Sequence, residues 1–144
     1  MSDKPYMYTD MSERDFINWN LSYTFTPIID TVQSIPEDKF WKEPHERVPA
    51  AGRVFAALAG TERSLIGRWL QAVCDVPDHI RTRKPGTPAT ELVSYWEQVR
   101  EKTNQYLESL SDEDLKEVPE HSLLPGDDPN RQNPTREAFV MLIH

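Results

Sequence analysis

Val48-Pro49-Ala50-Ala51-Gly52-Arg53-Val54-Phe55-Ala56-Ala57-Leu58-Ala59-Gly60-Thr61-Glu62-Arg63-Ser64-Leu65-Ile66-Gly67-Arg68-Trp69-Leu70 has the length and spacing of one long buried helix. Ala51, Val54, Leu58, Leu65, Trp69 and, just beyond, Val73 recur at three-and-four intervals, the pattern of an apolar helix face. The helix is expected to start at Pro49 or Ala50 and to end near Val73. Glu62 falls on that stripe between Leu58 and Leu65. An ionised carboxylate there is costly to desolvate unless it is hydrogen-bonded or paired. Glu62 therefore meets a polar partner or tilts to an edge. Pairing with an arginine such as Arg53 or Arg68 is preferred to a role as general base.

The 144 residues suit one domain, 1–144, large enough to bury a core. Sixteen basic against 24 acidic residues give a net charge of -8, which disfavours attraction to nucleic acid or to an anionic membrane surface. No apolar run reaches the length of a transmembrane span, and the first ten residues lack the apolar core of a secretory signal. A cytoplasmic protein is expected. Cys74 is the single cysteine, so no intrachain disulfide can form, and it reads as an inert thiol near a helix end.

Ser12 and Asp15 have capping-box spacing and open a first helix that runs to about Ser34. Its buried row is Ile17, Leu21, Thr24, Ile28, Val32 and Ile35, and Pro27 predicts a kink or a break between Tyr23 and Pro27. Ser34 to Pro44 reads as a short acidic turn in which Phe40 and Trp41 lid the bundle. His45 and His79 read as loop residues without a ligand role. The segment from Asp75 to Pro88, broken by Pro77, Pro85, Gly86 and Pro88, is expected to be an irregular crossover.

Thr87 then caps a third helix with Pro88 at its first position, and Leu92, Trp96, Val99, Thr103, Tyr106 and Leu110 form its buried row. Ser109 to Pro119 resembles Ser34 to Pro44 in kind: a helix exit, an acidic turn and a closing proline. This weak pseudo-repeat predicts a fourth helix. Leu123 to Gln132 is a turn-rich connection, and Asn133-Pro134-Thr135 opens the helix. With only about 15 Å from Thr135 to His144, against roughly 33 Å for the others, that helix is short. Either the chain is a fragment or a second subunit covers an apolar trough, since solvated Phe139, Met141 and Leu142 would promote aggregation.

Taken together, the chain resembles the DinB/YfiT-like family of bacterial helical-bundle proteins. The resemblance rests on Val54 to Glu62, on the acidic turns after the first and third helices, and on Thr135 to His144. It implies an all-α, four-helix bundle of DinB-like type, with a long crossover between helices two and three and a last helix that is short in this chain. Family members hold a divalent metal with three histidines, one on the second helix five residues before a glutamate and two spaced four apart on the fourth. Imidazoles four apart share a helix face, and a third from a facing helix leaves an open metal position.

Counting back from Glu62 puts Ala57 at the first ligand position, and Leu142-Ile143-His144 fits the start of the fourth-helix motif. His144 is thus the one candidate metal ligand and Glu62 a candidate pocket residue, while catalytic residues are unassigned. The expected cofactor is none, or a weakly bound zinc or nickel ion. A divergent bundle with a degenerate metal site, binding a small molecule or a partner as a homodimer, is preferred. The alternative implied by the resemblance is a metal-dependent thiol S-transferase, isomerase or hydrolase, in which the metal activates a thiol for attack on an electrophile.

Overall fold

Three long helices carry the architecture of the computed structural model, which describes residues 11–69, 75–117, 135, 136 and 139. Helix α1 spans Glu13–Ser34, α2 Glu37–Phe40, α3 Ala51–Trp69, α4 Asp78–Arg81 and α5 Ala89–Ser109, followed by a 3₁₀ turn at Asp114–Lys116. No strand occurs among the described residues, so the protein is all-α there. The predicted fourth helix, the connection Leu123 to Gln132, Cys74 and His144 lie outside the described residues, apart from Thr135, Arg136 and Phe139.

Ser12 caps α1 as its spacing implies, accepting a hydrogen bond from the Asp15 amide at 3.1 Å. The helix continues unbroken through Pro27, so the expected break into two pieces does not occur. Pro27 is exposed, and the carbonyl it leaves without a helical donor can be hydrated instead. Ile17, Leu21, Ile29 and Val32 are buried, while Thr24, Ile28 and Ile35 are half-buried at the edge of that face.

Helix α5 packs against both α3 and α1. Phe55 of α3 meets Trp96 of α5 edge-on at 4.9 Å, and Glu62, about two turns further along α3, meets Arg100, about one turn further along α5, so the two helices run in the same direction. The face of α3 that does the packing is Gly52, Phe55, Ala56, Ala59 and Glu62. This corrects the stripe expected from the sequence. Val54 and Leu58 are 44% and 42% exposed, Ala51 and Leu65 are half-buried, and Val73 and the Trp69 side chain lie outside the described residues. Small residues at 56 and 59 let α5 approach closely, and Gly52 leaves room for Trp41 and Phe40, which periodicity in large side chains does not report. Val54 and Leu58 instead line an apolar groove between α3 and the Pro27 to Ile35 part of α1.

Two apolar clusters make the core. One joins Ile29, Val32, Phe40, Phe55, Ile80, Trp96 and their neighbours; the other joins Ile17, Leu21, Leu107, Leu115 and Phe139. Phe139 is fully buried in the second within the single chain, while Met141 and Leu142 are not among the described residues. Thr135 donates its amide to the Glu117 carbonyl at 2.8 Å and Arg136 pairs with Glu13 at 3.1 Å, which anchors this part of the chain beside the start of α1.

The two helix exits agree at their first and sixth residues. Ile35 and Leu110 each end a long helix by donating to the carbonyl three residues back, and Phe40 and Leu115, five residues on, are both buried. In the second exit Ser111 and Asp114 exchange hydrogen bonds, amide to carboxylate at 2.9 Å and amide to hydroxyl at 3.2 Å, a capping box. Those bonds hold the Asp114 carboxyl below its ordinary value.

The segment 75–88 departs from its expected irregularity by one helical turn, α4, whose Ile80 enters the core. Thr87 does not cap α5: its hydroxyl donates back to the Lys84 carbonyl at 2.8 Å, and Pro88 takes the cap position without a side-chain bond. Trp41 is half-buried and its indole N–H donates to the Thr87 carbonyl at 2.7 Å, tying the α2 turn to the start of α5.

Candidate functional site

Glu62 is only 2% exposed and sits where all three long helices meet. Its Oε1 accepts from Arg100 Nε at 2.8 Å and from Arg100 Nη2 at 2.7 Å, and its Oε2 accepts from the Trp96 indole at 3.0 Å. Arg100 Nη1 donates in turn to the Leu21 carbonyl of α1 at 2.7 Å. The Phe25 ring lies 4.5 Å from the guanidinium carbon, within cation-π range. The partner of Glu62 is thus Arg100 on α5, where the sequence pointed to an arginine such as Arg53 or Arg68. Along each helix this node falls between the two apolar clusters.

Burial pushes the Glu62 carboxyl above its ordinary value of 4.5, while the Arg100 charge and the Arg100 and Trp96 hydrogen bonds pull the other way. The sequence signal for Arg100 was its place in the α5 apolar row, four residues after Trp96 and three before Thr103. An arginine on such a face needs an acid opposite it, and Glu62 was the acid still without a partner.

Ala57 lies on α3, half-buried, one turn before Thr61, whose hydroxyl donates to the Ala57 carbonyl at 2.8 Å. It is five residues before Glu62 but points away from the α5 face that Glu62 shares with Phe55 and Ala59, as the 100° per residue of a helix requires. His144, the other candidate ligand, lies outside the described residues.

Residues 26–144 match the family model of the DinB superfamily. The chain belongs to the DinB superfamily. No curated protein and no solved structure matches it.

The second-helix position that the resemblance assigns to a metal-ligating histidine is Ala57, whose methyl group has no lone pair to give. Among the described residues no three His, Cys, Asp or Glu side chains come together as a metal-holding group. With alanine at that position, the described residues do not fit a three-histidine centre.

The remaining histidines of the described chain are otherwise engaged. His45 is exposed and its Nδ1 accepts from the Arg47 amide at 3.3 Å. His79 of α4 pairs through Nε2 with Glu91 Oε1 of α5, both partly exposed, so it holds α4 onto α5 and is not the roleless loop residue the sequence suggested. What sequence reading missed entirely is a group of arginines around α4. A cavity of about 390 Å³ between α3 and α4 is lined by Arg63, Arg81 and Arg83, and a neighbouring one shares Arg81 and Arg83 and adds Arg53. The clue in the sequence was Arg81-Thr82-Arg83-Lys84, a basic run in an acidic chain. No helix among the described residues is long and apolar enough to cross a membrane.

Proposed function

We propose that this DinB-superfamily chain is a binding protein whose metal site is incomplete, taking a small molecule or a partner and not catalysing through a metal. Ala57 is the observation that carries the reading: the second-helix ligand position of the family has no donor atom. The bundle is completed in this reading by a fourth helix from Thr135. Residues 70–88 cross over between the parallel α3 and α5, and the chain works in the cytoplasm as a homodimer. Any zinc or nickel is held weakly in this reading, because Ala57 offers no donor atom at the second-helix ligand position.

Metal content tests this. Untagged protein is assayed by inductively coupled plasma mass spectrometry as isolated and after loading with zinc or nickel, alongside Ala57→His. The expected result is far less than one metal per chain in the unmodified protein and improved retention in the variant. Near-stoichiometric metal in the unmodified protein would overturn the reading in favour of a metal-dependent transferase or hydrolase.

A further inference from the structure

We infer that the cavity between α3 and α4 binds a small molecule carrying an oxyanion, a carboxylate or phosphate, on an apolar body. The inference deepens the reading of the chain as a binder and rests on it, but uses none of the residues of the metal position.

Charge is the first observation. The chain carries a net charge of -8, yet Arg63, Arg81 and Arg83 line this one cavity, and no carboxylate stands among its described lining residues. Guanidinium groups match carboxylate and phosphate oxygens with two parallel hydrogen bonds, so such a wall selects oxyanions over neutral ligands. Arg81 is paired with Asp78 at 2.6 Å, but both side chains are largely exposed, and an exposed pair of this kind is readily exchanged for a ligand.

Shape is the second. The volume of about 390 Å³ lies in the range of small-molecule sites. Ala56, Leu65, Val76 and Ile80 supply apolar lining, with the buried Tyr95 and the Ser64 hydroxyl beside them. Gly60 lines the cavity as well, and a Cβ built there would meet nothing within 4 Å. A ligand with an apolar body can lie on this floor while its anionic group faces the arginines.

The backbone at Arg83 is the third. Helix α4 ends in a Schellman arrangement: the Arg83 amide donates to the Ile80 carbonyl at 3.0 Å and the Lys84 amide to the His79 carbonyl at 2.9 Å. The residue at that position adopts a left-handed φ of 54°, where glycine or asparagine is favoured. An arginine held there against backbone preference, at the junction of two cavities it lines together with Arg81, has a side chain worth the strain.

The test titrates the full chain with phenyl phosphate, benzoate and neutral benzamide, followed by ¹H–¹⁵N correlation spectra. The variants are Arg83→Gly, Arg81→Gln and, as a control outside the cavity, Arg47→Gln. Arg83→Gly relieves the left-handed backbone, so a weakened ligand response cannot be ascribed to unfolding, and a thermal melt confirms it. The expected result is saturable binding of at least one anion, with benzamide at least about tenfold weaker. Loss of roughly tenfold or more is expected in Arg83→Gly and Arg81→Gln, and none in Arg47→Gln.

Tighter binding of phenyl phosphate assigns the natural ligand to phosphates, and tighter binding of benzoate to carboxylates. Absent saturation, equal binding of benzamide, or unchanged affinity in both cavity variants would overturn the inference. Those outcomes leave the metal assay untouched, and stoichiometric metal would leave these titrations untouched, so the two readings fail separately.

Discussion

Gly52 and Gly60 lie two turns apart on α3 and should respond to alanine in opposite directions. A Cβ at Gly52 would fall 2.7 Å from the Trp41 ring and 3.0 Å from Phe40. The indole cannot simply move aside, because its N–H is bonded to the Thr87 carbonyl and that bond holds α2 against the start of α5. Gly52→Ala is therefore expected to lower stability by about 1–3 kcal/mol, overpacking outweighing the gain in helix propensity. Nothing lies within 4 Å of a Cβ at Gly60, so Gly60→Ala should raise stability by roughly 0.5–1 kcal/mol. Urea unfolding of both variants checks the pair, and a neutral Gly52→Ala would mean that Trp41 does not hold its place.

Element by element, α1 was legible from its period and its Ser12 cap, and α3 and α5 from their period, yet the packed face of α3 was not. Two apolar arcs share that helix: one of large residues at Val54 and Leu58, one of small residues and a single phenylalanine at Gly52, Phe55, Ala56 and Ala59. A hydrophobic pattern weights the first, whereas close helix approach selects the second. The same weighting hid Arg100, which a buried row read by hydropathy passes over, and so left Glu62 with the wrong candidate partners. The cavity arginines were out of reach for another reason, since bringing Arg63 to Arg81 and Arg83 depends on where α4 docks. Pro27 does not break its helix. Helix α1 absorbs it because the lost hydrogen bond lies on an exposed face, so Pro27→Ala is expected to stabilise the protein by up to about 3 kcal/mol. A fall in the urea midpoint of that variant would show instead that Pro27 shapes the groove it lines with Ile28, Val54 and Leu58.

Across the molecule, one ion pair connects the three long helices, because Arg100 reaches from α5 to Glu62 on α3 and to the Leu21 carbonyl on α1. Burial makes the pair costly as well as connecting. Removing one partner strands the other charge, so Arg100→Met is expected to cost about 3–5 kcal/mol, and Glu62→Met with Arg100→Met much less than the sum of the two single changes. The pH dependence has a definite sign. Burial raises the Glu62 carboxyl in the folded protein above its ordinary 4.5, despite Arg100 and Trp96. Near the ordinary value the folded state then binds more protons than the unfolded one. The contribution of Glu62 is complete below the unfolded value and is lost as pH rises through the folded one. Urea midpoints of the protein and of Glu62→Gln, measured between about pH 4 and pH 7, should therefore diverge. The unmodified protein should lose stability relative to the variant as pH rises. A relative gain instead would mean that the Arg100 charge outweighs desolvation, and that the node holds the helices together as a net-stabilising ion pair.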